Sequence, residues 1–309
     1  MTIGIAACGT HAGRAVINAL DTVEKIGLGA IGGFVSAVAV DGEEMQRAET
    51  QRGGTSQLKF EEARSTFECA PMAALISSGP DRPEPLSDFI VAQCGVGIVT
   101  GHRMPNYSGQ DGVPLNIAVL DHMAKGVCPQ LAIDSVLGSN PDADAGLIAL
   151  NTEGKGYAAN TSSVNTRPDI GHAFAQRNGA CVLVLHNAIR PSGALAELVA
   201  EVAMDTLAPR TRICGNIKLR AGCPVRQGGQ ACLVATETGE VIEIVVAGSV
   251  VAGCGAINLG YQPAVVIKGK ASGVLLYEPF LLACDEQLLS ADGLDFMELP
   301  YGCQSVVRD

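Results

Sequence analysis

The sequence predicts an α+β fold, and three observations support that class. The chain opens with a short apolar strand that leads into an amphipathic helix. Two later segments have the pattern of β-hairpins, with a turn sequence between two apolar runs. Glycine accounts for 37 of 309 residues, an excess that favours tight turns and close approach of backbones. We therefore expect helices and hairpin-connected strands in one or two compact domains.

The composition argues against several classes of function. The formal net charge is −11, so the chain has no general attraction for nucleic acid or anionic lipid. Residues 1–5 lack the basic and apolar regions of a signal peptide. The uncharged stretch 244–267 is interrupted by glycines and polar residues, which favours strand–turn–strand over a membrane span. We expect a cytoplasmic protein without nucleic-acid or membrane partners.

Eleven cysteines are scattered along the chain without paired spacing. An odd number in a long chain favours reduced thiols over a disulfide framework. Cys214, Cys223 and Cys232 are nine residues apart, which is not a zinc-ligand interval, so we expect them to pack inside strands. We expect no metal site.

Periodicity predicts the elements of the first part of the chain. Residues 2–8 form a strand, and the helix that follows has apolar side chains every three or four positions. Gly27 ends that helix, residues 30–40 form the next strand, and residues 41–70 form a charged surface. The apolar stripe of the helix consists of Ala12, Ala15, Val16, Ala19, Leu20, Val23 and Ile26.

A Pro-rich connector at 80–85 separates two copies of a weak internal repeat. The glycine pattern of residues 23–33 recurs 68 residues later, at 91–101. We interpret both copies as a helix that stops on glycine and passes directly into a strand. Two ordinary helix-to-strand turns in a glycine-rich chain would explain the pattern equally well.

Helices and strands alternate through the next part of the chain, and strands dominate at its end. Helices are predicted at 115–124 and 129–138, and a third helix contains residues 195–202. The predicted strands are a hairpin at 145–150 and 155–159, a strand at 181–187, and a second hairpin at 232–236 and 241–246.

We divide the chain into a core domain, 1–208, and a strand-rich segment, 209–309, that packs on the core or completes it. Residues 206–236 contain five cations and no acid. They could hold a carboxylate or phosphate, although a solvated face or a contact with an acidic partner subunit would explain them as well. The five cations are Arg210, Arg212, Lys218, Arg220 and Arg226.

Cys8 and His11 form the first candidate site. They flank a glycine turn between the first strand and its helix. A thiolate beside an imidazole is an activated nucleophile, and free backbone N–H groups in such a turn can hold an anion. Arg14 would add a positive charge there. A packed cysteine and a histidine at a helix N-terminus would leave the same pattern.

The pairs His102–Arg103 and His186–Asn187 form a second set of candidates. Each pair lies at the end of a predicted strand, and binding residues in layered α/β proteins gather at strand ends. His102 could act as a base there, and Arg103 could hold an anionic substrate. Hydrogen-bonded loop residues would give the same sequence.

Residues 115–163 carry a more specific pattern. Two helices separated by Gly126 run through Asn140-Pro141-Asp142 into AGLIALNTEG at 145–154 and AANTS at 158–162. With the preceding strand included, residues 95–165 resemble the N-terminal-nucleophile (Ntn) hydrolase superfamily. They look most like a bacterial family of that fold whose function is unassigned, and more distantly like the isoaspartyl peptidase/asparaginase type.

The resemblance implies a fold and a chemistry. The fold would be an αββα sandwich, in which two mainly antiparallel sheets stack between layers of helices. In asparaginase-type relatives the hairpin begins with a threonine that self-cleavage frees, so that its own amine acts as the base. Asp144 occupies that position here and cannot perform this chemistry. Thr161 matches a family residue that helps to shape the site.

Thr2 is another possible nucleophile. It is small enough for Met1 to be excised, which would leave an amine with a pKa of about 7.7–8.0 beside its hydroxyl. A retained Met1 would exclude this chemistry. The helix after residues 2–8 also differs from the hairpin expected behind such a nucleophile.

Two functional hypotheses follow. The first is an amide- or lactam-type hydrolase of a small anionic metabolite. The second is a catalytically inactive ligand-binding or oligomeric protein with the same sandwich, which Asp144 favours. Under both we expect a small-molecule ligand, no cofactor and a homo-oligomer. The hydrolase would use Thr2 or Cys8 as nucleophile, His11 or His102 as base, and Arg14 or Arg103 as anion holder.

Overall fold

A computed structural model describes residues 1–79, 86–248 and 253–304 of the chain. The chain divides into two compact units, of which the first is Met1–Pro209 and the second begins at Arg210. The predicted Pro-rich connector at 80–85 lies outside the described residues.

The first unit contains both helices and strands. Its α-helices are α1 (Ala12–Ile26), α2 (Arg64–Cys69), α3 (Leu115–Ala124), α4 (Pro129–Ser139), α5 (Ser162–Asn165) and α6 (Ser192–Leu207). Its strands are β1 (Thr2–Cys8), β2 (Val35–Asp41), β3 (Glu44–Thr50), β4 (Lys59–Phe60), β5 (Met72–Ser78), β6 (Val91–Gln93), β7 (Gly97–Arg103), β8 (Ala145–Asn151), β9 (Gly156–Asn160), β10 (Ile170–Arg177) and β11 (Ala180–Asn187).

The larger sheet of this unit has seven antiparallel strands in the order β10-β11-β1-β5-β2-β3-β4. Side chains alternate between its two faces, as the strand period of two requires. Ile3 and Ile5 of β1 point to one face and join the core that α1 and α6 cover. Ala6 and Cys8 point to the other face.

A second, four-stranded antiparallel sheet, β6-β7-β8-β9, stacks on that other face. Ile98 and Ile148 of this sheet share a buried cluster with Ala6. Its outer face packs on α3 and α4 through Val99 and Leu147. The layers therefore run helix, sheet, sheet, helix, which confirms the α+β class and the layered sandwich.

Glycine brings the two sheets unusually close at one end of β1. A Cβ atom at Gly4 would overlap the carbonyl oxygen of Gly101 on β7. Since residues i and i+2 of a strand share a face, Thr2 points in the same direction as Gly4. The close approach therefore places Thr2 against the end of β7.

Most predicted elements of this unit are confirmed, but two glycine-rich segments are not. The strand predicted at 30–40 begins only at Val35, because residues 27–34 form loop structure after α1. The repeat at 91–101 is also wrong. It is the hairpin β6–β7, closed by a turn in which Gly95 has a φ of +74°, and it contains no helix end. The segment 41–70 is more than surface, because β3 and β4 extend the large sheet.

The second unit is built from strands with a hydrophobic core of their own, which includes Ile217, Leu233, Ile244 and Val265. Seven strands form a mixed sheet in the order β12-β21-β18-β17-β14-β15-β13, and three form the sheet β16-β19-β20. The strands are β12 (Thr211–Arg220), β13 (Val225–Gln227), β14 (Cys232–Ala235), β15 (Val241–Val246), β16 (Cys254–Ile257), β17 (Ala264–Ile267), β18 (Lys270–Leu275), β19 (Leu281–Cys284), β20 (Gln287–Ala291) and β21 (Phe296–Gln304).

The cysteines of the second unit correct the expectation that all thiols are reduced. Cys254 and Cys284 form a disulfide between the paired strands β16 and β19. Cys214 is exposed, with its sulfur 2.8 Å from that of Cys303, so it does not pack inside a strand. Cys223 is buried, as expected.

Several cations of the basic stretch face acids on neighbouring strands. Arg226 Nε lies 2.6 Å from a carboxylate oxygen of Glu243. Lys218 and Arg220 each lie 3.4 Å from Glu240. These pairs fit the interpretation of this stretch as a solvated face.

Within residues 1–79, 86–248 and 253–304, no helix combines the length and the apolar character that crossing a membrane requires. The uncharged stretch that begins at Ile244 contains the end of β15 and all of β16 and β17, and its residues 249–252 are outside the described part.

Candidate active site

The predicted site residues fall at the two ends of β1. Thr2 begins the strand and Cys8 ends it. With a rise of about 3.3 Å per residue, these two side chains are ~20 Å apart. The structure therefore contains two separate clusters, which we call the Thr2 cluster and the Cys8 cluster.

Thr2 is the centre of the first cluster, and its side chain is buried. Its hydroxyl donates a hydrogen bond of 2.7 Å to Oδ1 of Asn187 and accepts one of 2.5 Å from the backbone N–H of Arg103. The backbone N–H of Thr2 donates to the same Asn187 oxygen at 3.2 Å. Thr2 faces Asn187 because β1 and β11 pair in antiparallel register. One amide oxygen thus holds both the nitrogen and the hydroxyl of Thr2.

Arg103 reaches Thr2 through its backbone and not through its guanidinium group. Its φ of 62° lies in the left-handed region, an uncommon conformation for a residue other than glycine. The guanidinium group makes a bidentate ion pair with Asp144, with Nη2 2.5 Å from Oδ2. Arg14, the other predicted anion holder, pairs with Glu68 at 3.2 Å, and it follows β1 at the Cys8 end. Both guanidinium groups thus already contact a carboxylate.

His102 lies between the two sheets next to this cluster. Its Nε2 is 2.7 Å from Oδ1 of Asn160, which fits a ring that donates from Nε2. Burial, as the largest cause, lowers the pKa of His102 to about 4. The ring is therefore neutral at physiological pH. A base that titrates near neutrality would need a higher pKa, so this geometry does not favour the predicted role of His102 as a base.

His186 and Asn187 lie on opposite faces of β11. Leu185 belongs to the core between the sheets and Val184 to the core under the helices, so alternation turns His186 toward the helices and Asn187 toward Thr2. Burial lowers the pKa of His186 to about 4. His186 and Asn187 were predicted to share one site, but only Asn187 contacts Thr2.

Thr161 has a different role in the fold. Its hydroxyl donates to the carbonyl oxygen of Ala143 at 2.7 Å and accepts from the backbone N–H of Val164 at 3.2 Å, which caps α5. Asn160, the residue before it, contacts His102 instead. Asn160 is not among the predicted site residues. Its position next to Thr161, at the end of β9, is the pattern that could have indicated it.

The Cys8 cluster does not contain the predicted Cys8–His11 pair. The sulfur of Cys8 lies 3.0 Å from that of Cys181, its direct partner across β1 and β11. His11 instead forms the N-cap position of α1, with a φ of 65°. A cavity of about 510 Å³ lies beside Cys8. Cys181 was not selected from the sequence because the pairing joins residues 173 positions apart.

The two buried histidines predict a pH dependence of stability. Their pKa is about 4 in the folded chain and about 6.5 when exposed, so the unfolded chain binds more protons between those values. The free energy of unfolding should therefore fall as the pH drops from about 6.5 toward 4. Between pH 7 and 5 we expect a loss of about 1.8 kcal/mol per histidine.

Urea unfolding at about pH 7 and about pH 5 checks this expectation. His102→Gln is expected to lose less stability over this interval than the wild-type chain does. Equal losses in the two proteins would contradict the assignment of His102 as a buried neutral ring.

Comparison with known proteins gives a family for most of the chain. Residues 2–216 match the model of a family described as a domain of unknown function, DUF6963. The comparison with curated proteins returned no match.

Among solved structures, the chain is similar to glutamine phosphoribosylpyrophosphate (PRPP) amidotransferase from B. subtilis complexed with ADP and GMP. The TM-score is 0.37 and the sequence identity is 12%. The similarity covers 65% of this chain and 44% of the amidotransferase chain, so it spans less than half of that protein. The family model, in contrast, matches well over half of the residues of this chain. The chain therefore belongs to the DUF6963 family.

Proposed function

We propose that this protein is an Ntn-type amide hydrolase whose nucleophile is the hydroxyl of Thr2. The observation that carries the proposal is the shared hydrogen-bond acceptor: Oδ1 of Asn187 lies 2.7 Å from Oγ1 and 3.2 Å from the backbone nitrogen of Thr2. This holds the nucleophile and its nearest base in one place. The helix–sheet–sheet–helix layering is also the fold that the resemblance to Ntn hydrolases implies.

The mechanism requires that the peptide bond between Met1 and Thr2 has been hydrolysed. Hydrolysis of that bond gives Thr2 a free amine, whose pKa near 7.7–8.0 suits a base at neutral pH. The amine takes the hydroxyl proton while Oγ1 attacks the carbonyl carbon of an amide or lactam. The C–N bond then breaks, and the leaving nitrogen receives the proton. Water hydrolyses the resulting ester, releases the acid and restores Thr2.

Arg103 supports this chemistry from its backbone. Its N–H donates to Oγ1 of Thr2, so it stabilises the charge that develops on the oxygen when the proton leaves. The ion pair with Asp144 holds the guanidinium group in a fixed orientation beside that N–H. Asp144 thereby acts as a positioning residue for Arg103, at the place where asparaginase-type relatives carry the hairpin threonine.

We infer that Met1 must be removed before a substrate can reach Thr2. Thr2 is only 1% exposed while Met1 is attached, and the sulfur of Met1 lies 2.8 Å from the backbone nitrogen of Ala30. Removal of Met1 would uncover the hydroxyl of Thr2. It would also remove the contact of Met1 with Ala30, in the loop that follows α1. Processing and substrate access are therefore one event in this proposal.

The burial of Thr2 also favours a second candidate function. A chain that keeps Met1 has its hydroxyl, its Asn187 amide and its Arg103 N–H already satisfied by one another. Such a protein would bind a small molecule without cleaving it. The state of residue 1 separates the two functions.

Two forms of the chain test the proposal. One form begins with Thr2, released from a cleavable N-terminal fusion, and the control form retains Met1. We expect only the Thr2-first form to release ammonia or amine from a panel of small carboxylated amides and lactams. Equal release by both forms, or binding of panel members without release, would overturn the hydrolase and favour the binding protein.

A further inference from the structure

The Cys8 cluster lies outside the proposed hydrolase site and has a geometry of its own. Cys8 and Cys181 are direct Cα partners on the neighbouring antiparallel strands β1 and β11. Both side chains point into the layer between the sheets. Their sulfur atoms are 3.0 Å apart, and both lie within 3.6 Å of the carbonyl oxygen of Gly154.

This arrangement needs little movement to become a disulfide. Antiparallel partners have Cα atoms about 4.5–5.5 Å apart, which is within the range that a disulfide spans. The two sulfur atoms would have to close from 3.0 Å to about 2.05 Å. A shift of that size is within reach of small rotations about the two Cα–Cβ bonds.

The two thiols differ in their access to solvent. Cys8 is 7% exposed and lines a cavity of about 510 Å³, whereas Cys181 is 2% exposed and does not line it. Among the described residues that line this cavity, Glu43 and Glu153 carry charge and no lysine or arginine does. Lys155 lies 2.8 Å from Glu153, so Glu43 is the acid in this lining that supplies the net negative charge. A small reagent would therefore meet Cys8 first, and the acidic lining disfavours an anionic one.

We propose that Cys8 and Cys181 form a thiol–disulfide exchange site for small neutral or cationic disulfides that enter this cavity. The Cys8 thiolate attacks one sulfur of the disulfide RSSR, which forms a Cys8–S–S–R bond and releases RS⁻. The Cys181 sulfur then attacks Sγ of Cys8, gives up its proton, and releases the second RS group as a thiol. The protein loses two electrons and two protons, and RSSR is reduced to two RSH.

The hydrogen bond between the thiols supports this order of attack. As the largest effect, the side-chain hydrogen bond from Cys181 lowers the pKa of Cys8 to about 7, so a large fraction of Cys8 is thiolate at neutral pH. The same contact, together with burial, raises the pKa of Cys181. Cys8 is therefore the attacking thiol and Cys181 the resolving one.

The experiment treats the full-length chain with cystamine, a cationic disulfide, and with oxidised glutathione, an anionic one, followed by peptide mapping. We expect cystamine to produce a linked Cys8–Cys181 peptide pair at least ten-fold faster than oxidised glutathione does. Mapping separates this product from any reaction at the exposed pair Cys214 and Cys303.

Two variants assign the order of the steps. Cys181→Ser should stop at a stable mixed disulfide on Cys8, and Cys8→Ser should leave Cys181 unmodified. No linked peptide pair in the wild-type chain, which needs no variant to fold, would overturn the proposal. Modification of Cys181 in the Cys8→Ser protein would overturn the assigned order of attack. Faster reaction with oxidised glutathione than with cystamine would overturn the preference that we infer from the acidic lining of the cavity.

Discussion

Replacing Thr2 by alanine should reduce amide hydrolysis by the Thr2-first chain by at least about 10³-fold, because the variant has no atom that can form the acyl ester. Thr2→Ser keeps a hydroxyl within reach of Asn187 and Arg103 and should retain part of the activity. The measurement is the rate of ammonia or amine release from the amide that the wild-type chain cleaves best.

The control for this comparison is Thr238→Ala, in an exposed turn of the second unit, which should leave the rate unchanged. Circular dichroism of all three variants shows whether the fold is intact. Full activity in a folded Thr2→Ala protein would mean that another residue is the nucleophile.

Gly4→Ala should destabilise the first unit by about 3 kcal/mol, since the added methyl group would overlap the Gly101 carbonyl oxygen between the two sheets. Neither backbone can move away easily, because Gly4 lies in a central strand and β7 pairs on both sides. Urea unfolding of the wild-type and variant chains gives the difference in the free energy of unfolding.

Gly138→Ala is the matched control for Gly4→Ala. Gly138 lies near the end of α4, and a Cβ atom there would meet nothing within 4 Å. Alanine favours helix over glycine by up to about 1 kcal/mol, so this variant should be as stable as the wild type or more so. A Gly4→Ala chain of wild-type stability would contradict the close approach of the sheets beside Thr2.

Local patterns were sufficient for much of the fold. The apolar stripe of α1, the proline that begins α4 and the turn between β8 and β9 each act within about ten residues. The glycine pattern failed at 91–101 because a helix end and a hairpin turn both require a glycine with positive φ. Only the pairing partner distinguishes them, and that partner is a tertiary feature.

The candidate site could be predicted only in part, for the same reason. Thr2, Arg103 and Asn187 were each selected as separate candidates, but their contacts join positions 101 and 185 residues apart. No local pattern indicates that Arg103 contacts Thr2 through its backbone and not through its side chain. Cys181 appeared only as one of several strand residues, because its importance depends on the register of β1 against β11.

Acylation of the Thr2-first chain by a β-lactone, mapped by tandem mass spectrometry, tests the proposed nucleophile most directly. Ring opening by Oγ1 of Thr2 transfers the acyl group to that oxygen, and the resulting ester stays on the protein. The proposed mechanism predicts one acyl group on the peptide that begins with Thr2, and none on that residue when Met1 is retained. An unmodified Thr2 in the Thr2-first chain, with the label on Cys8 or on lysines instead, would contradict it.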